Sequence, residues 1–133
     1  MESFRRMLGV GKFIPAHVKP WMYWMQLMLF VGPVLFVGFA GARYLLAAQA
    51  LNAITGYIVF VKEGEKVSRL FGLGHVFWLA PLWFFAQDVR SDEWAVYRGY
   101  AALAALTIAI SLVFDVRDVY LWLRGDRASV LVA

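Results

Sequence analysis

Three charges fall within four positions at the close of a long apolar run: Asp115, Arg117 and Asp118 in "SLVFDVRDVY". Carboxylates there have two readings. In one, a helix is leaving the lipid and the charges are interfacial. In the other, a protonatable group sits inside the bilayer, where ionisable side chains are costly and mark functional sites. Other polar residues interrupt the apolar runs: Gln26, Gln49, Asn52, Thr55, His75, Thr107 and Ser111.

Helical rise places these residues in depth. Asn52 lies ~14 Å, His75 ~9 Å and Asp115 ~12 Å from the charged ends of their runs, and those ends share one side. Gln26 is near the start of its run, on that same side. Ser111, Asp115, Asp118 and Trp122 follow the spacing of one helix face, as do Gln49, Asn52 and Gly56. Arg117 points away from Asp115 and is placed to snorkel. The candidate intramembrane polar or proton site is therefore Gln26, Gln49, Asn52, His75, Ser111, Asp115 and Asp118. Histidine titrates near neutrality, so a carboxyl beside it could take up and pass on protons. Each residue also has a structural reading: Gln49 and Asn52 as interhelical hydrogen-bonding glue, His75 as a satisfied buried ring.

Other chemistries are excluded or unsupported. With no cysteine, disulfides, thiolate zinc sites and iron–sulfur clusters are ruled out. His17, the second of the two histidines, lies outside the apolar runs, so no haem, metal or other cofactor is expected. No GxSxG or HExxH motif occurs, and "GLGHVF" lacks the GxGxxG fingerprint, so its glycines read as packing positions.

The elements that must hold these residues follow from composition. The chain of 133 residues is 62% hydrophobic and 17% charged, against about 25% charged in a soluble domain. A short chain cannot hide that much apolar surface in its own core, so lipid is the expected solvent. The fold class is all-α: an integral membrane bundle of four transmembrane helices, at about 21–42, 44–61, 70–86 and 97–123. The first run has a competing reading as a signal peptide, but its length and the runs that follow favour a retained helix. Residues 1–20 form a basic lead with Phe4, Met7 and Leu8 on one side, suited to a membrane surface. Gly125 is a natural stop for the last helix, leaving 125–133 as a short tail.

Charge sets the orientation. Arg5, Arg6, Lys12, Lys19, Lys62, Lys66, Arg69, Arg117, Arg124 and Arg127 fall on the side of the termini. Arg43, Arg90 and Arg98 fall on the other. The positive-inside rule then puts both termini in the cytoplasm, with a bacterial inner membrane as the expected location. The net charge of +4 is a topology signal, and no nucleic-acid partner is expected. Pro33 and Pro81 sit inside the first and third runs as helix kinks. "RYLLAAQALNAITGYIVF" from Arg43 resembles "RGYAALAALTIAISLVF" from Arg98, a hint of an internal repeat. Ala101, Ala105 and Ala109 offer a small-residue packing seam.

Four short helices leave little room for a wide pore, so a homo-oligomer or a larger membrane complex is expected besides the lipid bilayer. The first functional expectation is a non-enzymatic accessory or assembly subunit. The alternative is a small oligomeric ion channel or proton-linked transporter using Asn52, His75 and Asp115. A membrane enzyme acting on lipid comes third.

Overall fold

The computed structural model describes residues 1–129, and all its regular elements are helical. An amphipathic helix, α1 (Glu2–Gly9), comes first, followed by a 3₁₀ turn at Val10–Phe13. Residues 19–35 are one unbroken helical stretch: α2 (Lys19–Gln26), a π-turn (Leu27–Val31) and α3 (Gly32–Leu35). Then come α4 (Ala40–Lys62), a 3₁₀ helix (Arg69–Trp78) running directly into α5 (Leu79–Asp88), and α6 (Ala95–Leu123). Three helices are long and apolar enough to cross a membrane: Ala40–Lys62, Arg69–Asp88 and Ala95–Leu123. The stretch 19–35 is shorter than the ~20 residues a crossing helix needs.

The first chain reversal is earlier than hydropathy suggests. The apolar run to Ala42 reads as one helix, but the chain turns at residues 36–39 and Arg43 belongs to the first turns of α4. Arg43 explains the difference, because its guanidinium donates to the carbonyls of Val37 and Gly38 at 3.3 and 3.0 Å. Carbonyls at a chain reversal have no helical donor, and the guanidinium supplies one.

The helix ends at the opposite side of the molecule are set by glycine. Gly64 has φ +77; Glu65 N–H donates to Phe60 O and Gly64 N–H to Val61 O, which closes α4 in a Schellman motif. Gly125 repeats this at φ +100, with Asp126 N–H on Leu121 O and Gly125 N–H on Trp122 O. The four residues beyond Ser129 in the expected tail lie outside the described residues.

The core joins residues from four helical stretches. Met28 and Leu29 come from the π-turn, Leu45 and Ala48 from α4, Trp78 from the 3₁₀ helix, Phe85 from α5, and Tyr97 to Ile108 from α6. On α6 the buried line runs through Tyr97, Ala101, Ala104, Ile108 and Ser111. Ala105 is half-buried and Ala109 exposed, so the seam expected at Ala101, Ala105 and Ala109 is not the buried one. A strict four-residue spacing drifts by ~40° per step on a 3.6-residue helix, and alternating threes and fours stay on the face. The outer face is apolar too, with Val113 and Val116 about 70% exposed.

The π-turn has a chemical cause and consequence. Pro33 has no N–H, so Leu29 O lacks its helical donor. Gly32 N–H donates five residues back, to Leu27 O, which frees Met28 O as well. Both carbonyls are satisfied from outside. Tyr100 OH donates to Met28 O at 2.9 Å, and Gln49 Nε2 donates to Leu29 O at 2.9 Å. Tyr100 comes this close because Gly32 has no side chain; a Cβ there would collide with its ring.

Candidate functional site

The 3₁₀ helix places the site. Ten residues is long for this geometry, which usually persists for three or four. Three residues per turn means that side chains at i and i+3 eclipse, so the segment presents three straight stripes. Arg69, Gly72, His75 and Trp78 form one. Leu70, Leu73, Val76 and then Leu79 form the second. Phe71, Gly74 and Phe77 form the third, which meets α4: a Cβ on Gly74 would lie 2.9 Å from Asn52 Cα, and one on Gly56 3.6 Å from Phe71. The 3₁₀ rise of ~2 Å also lets a short apolar run cover more depth than an α-helix would.

The first stripe carries the polar chemistry. His75 Nδ1 is 2.7 Å from Asp115 Oδ2, and both side chains are about 20% exposed. Asp115 thus turns towards the 3₁₀ helix. The His75 ring stacks on Trp78, centroids 3.8 Å apart and planes at 11°. Trp78 Nε1 donates to Gln49 Oε1 at 3.1 Å, and Gln49 continues to Leu29 O. Arg69 sits at the outer end of the stripe, 2.8 Å from Asp118 and 2.7 Å from Asp126. Gly72 lies between the two acidic contacts, and a side chain there would strike Asp115 Oδ1.

These groups border one vestibule of about 830 Å³. Gln26, Gln49, Asn52, His75, Asp115 and Asp118 all line it. Met22, Met25, Leu29 and Phe71 supply apolar wall, and the segment from Val10 to Val18 contributes Ile14, Pro15 and His17. From Arg69 to Trp78 the vestibule wall descends ~18 Å. Beneath Trp78 and Leu29 the core closes in aromatic rings: Phe39 stacks on Tyr97 at 3.6 Å, Phe36 on Tyr100 at 4.7 Å, and Phe85 meets Tyr100 edge-on.

The other polar residues lie at the rim or away from the pair. Ser111 is buried, donating to Thr107 O at 2.9 Å with Met25 Sδ at 3.6 Å, and it does not line the vestibule. Gln26 is exposed at the rim and Arg117 is exposed on α6. Thr107 accepts from Trp24 Nε1 at 2.9 Å. Pro81 is buried in α5, and Pro33 sits below the π-turn. No group of three metal-ligating side chains occurs among the described residues.

Sequence reasoning assigned Arg69 to topology and passed over Gly72 and Trp78 as site residues. Their signal was the three-residue period from Arg69 to Trp78, invisible when every apolar run is read as an α-helix. A latch at the charged end of α4 was missed as well. Glu65 accepts from Ser3 Oγ, and from Arg6 at 2.6 Å, while Phe4 meets Tyr57 edge-on at 6.0 Å. The Ser3 hydrogen bond and the Arg6 charge hold the Glu65 carboxyl below its ordinary value. The segment after α1 is thereby held beside the vestibule.

Searches for similar proteins match this chain to no family model, no curated protein and no solved structure.

Proposed function

We propose that this chain is a four-helix integral membrane protein of a bacterial inner membrane, with both termini cytoplasmic, acting as a small proton-linked transporter or channel subunit. One observation carries the reading: a vestibule at the basic end leads to a hydrogen-bonded His75–Asp115 pair. A purely structural bundle gains little from such a pair, since apolar side chains of similar volume serve stability as well or better. A proton-linked device needs it. His75 Nδ1–H can donate to Asp115, which leaves Nε2 to take up a second proton from the vestibule. Protonation would turn the neutral ring into an imidazolium beside a carboxylate. That changes the charge the site presents to a ligand.

The accessory or assembly subunit is the second reading. The aromatic layer around Phe36, Phe39, Tyr97 and Tyr100 favours it, because it closes the other half of the molecule. A transporter must open that layer, whereas an assembly subunit need not.

Proton uptake into proteoliposomes, followed from pH 5 to 8, separates the two. Wild type should show flux above empty liposomes, and Asp115→Asn should reduce it about tenfold or more while the protein still inserts. His75→Gln should lower the flux as well, because glutamine can hydrogen-bond but cannot carry a second proton. Wild-type flux equal to that of empty liposomes, with cations and anions offered in turn, would leave the accessory reading.

A further inference from the structure

Asp115 borders two spaces. One is the vestibule; the other is a groove of about 330 Å³ on the outer face, between the 3₁₀ helix and α6. Besides Gly72 and Asp115, the described residues that line the groove are aliphatic: Leu73, Val76 and Leu79 from the second 3₁₀ stripe, facing Leu112, Val116 and Val119. Gly72 and Asp115 belong to both linings and so stand between the two spaces. The groove has a direction. From Val119 and Gly72 it runs inward to Leu112 and Leu79, away from the charged end. An amphiphile in the adjacent leaflet has this orientation, with its head outward and its chain towards the bilayer centre.

We infer that this groove and the His75–Asp115 pair together bind a single-chain amphiphile with a hydrogen-bond-donating, cationic head, entering sideways from the lipid. This rests on the reading of His75–Asp115 as the functional pair and names the class of its ligand. The chain lies along Val76, Leu79, Leu112 and Val116. The head, an alkylammonium in its simplest form, donates to the Asp115 carboxylate, whose side chain is about 20% exposed.

Charge supports a cationic head. The vestibule lining holds three carboxylates, Asp115, Asp118 and Asp126, against two guanidiniums, Arg69 and Arg117, and two imidazoles, His17 and His75. Arg69 is engaged with Asp118 and Asp126, so Asp115 is left with the imidazole. An anionic head would meet Asp115 with repulsion. The volume is adequate, since small-molecule sites span roughly 300–1,000 Å³.

The test uses the full chain in nanodiscs and radiolabelled dodecylamine, with binding to protein-free nanodiscs subtracted. Saturable binding is expected, and dodecanoate should show none. Val116→Trp fills the groove from the exposed face without entering the core, and should weaken binding about tenfold, as should Asp115→Asn. Val116→Phe serves if the tryptophan variant inserts poorly. Linear partitioning equal to that of empty nanodiscs, equal saturable binding of dodecanoate, or full binding by the groove-filling variant would overturn the proposal. Proton flux measured on the same preparations keeps the two readings apart. Asp115-dependent flux without dodecylamine binding rejects the ligand and leaves the proton site. Saturable binding lost in both variants, without flux, supports the ligand and rejects transport.

Discussion

Removing the Gln49 amide should expose how the first helical stretch depends on α4. Gln49 is buried, with 6% of its surface exposed, and makes two hydrogen bonds. Its Nε2 serves Leu29 O, the carbonyl that Pro33 leaves without a donor, and its Oε1 serves Trp78 Nε1. Gln49→Leu keeps the approximate volume and orphans both partners. Each buried polar group left unsatisfied costs about 1–3 kcal/mol, although polar pairs within membranes average only about 0.6 kcal/mol in double-mutant cycles. The expected loss is therefore about 1–4 kcal/mol. The mechanism makes a sharper demand on a second background. Pro33→Ala restores an N–H that can reach Leu29 O. Half of the Gln49 deficit should then disappear, leaving only the Trp78 N–H orphaned. The assay is reversible unfolding in mixed micelles, read by tryptophan fluorescence, for wild type, both single variants and the double variant. A coupling of about 0.5–2 kcal/mol between the positions is expected. If Gln49→Leu costs the same in both backgrounds, Pro33 does not create the need that Gln49 meets.

Three further outcomes follow from other parts of the structure. Cysteine at Gly64 should resist an impermeant maleimide in intact cells and cysteine at Ser91 should react; the opposite pattern refutes the orientation read from charge. Gly72→Ala should push Asp115 away from the 3₁₀ helix and lower proton flux about as much as Asp115→Asn, while Gly9→Ala, which meets no neighbour within 4 Å, should leave flux unchanged. The Glu65 latch should depend on acid. Its carboxyl is held below the ordinary 4.5, so the latch is in full force above that value and is released as pH falls through the lowered one. Protection of α1 amides from hydrogen exchange, taken relative to the intrinsic rate at each pH, should therefore fall as acid takes Glu65 through that lowered value, and Glu65→Gln should remove the step; protection unchanged by acid would refute the latch.

How much was legible depends on whether a feature follows α-helical rules. The polar interruptions at Gln49, Asn52, His75 and Asp115 were visible because each is costly in an apolar run, and the stop at Gly125 because left-handed φ favours glycine. Depth arithmetic worked for α4 and α6, which are regular. It could not place Ser111, which shares the α6 face with Asp115 but lies one turn deeper, where Met25 meets that face and its hydroxyl bonds back to Thr107. Nor could it register the first reversal, because Arg43 was counted as loop charge while its guanidinium was capping carbonyls from inside α4.

The deeper gap is one of period. At 100° per residue, Arg69, His75 and Trp78 fan across more than one face of a helix. At 120° they fall in line with Gly72, and Leu73, Val76 and Leu79 fall in a second line beside them. Polar and aliphatic stripes then run side by side along one segment. The α6 carboxylates meet that pattern from their own 3.6-residue period: Asp118 reaches Arg69 and Asp115 reaches His75. A return of Arg69–Trp78 to α-helical winding would rotate His75 by about 120° relative to Arg69. The two acidic contacts could not both survive that rotation, so the winding of one ten-residue segment and the pairing of two carboxylates are a single structural state.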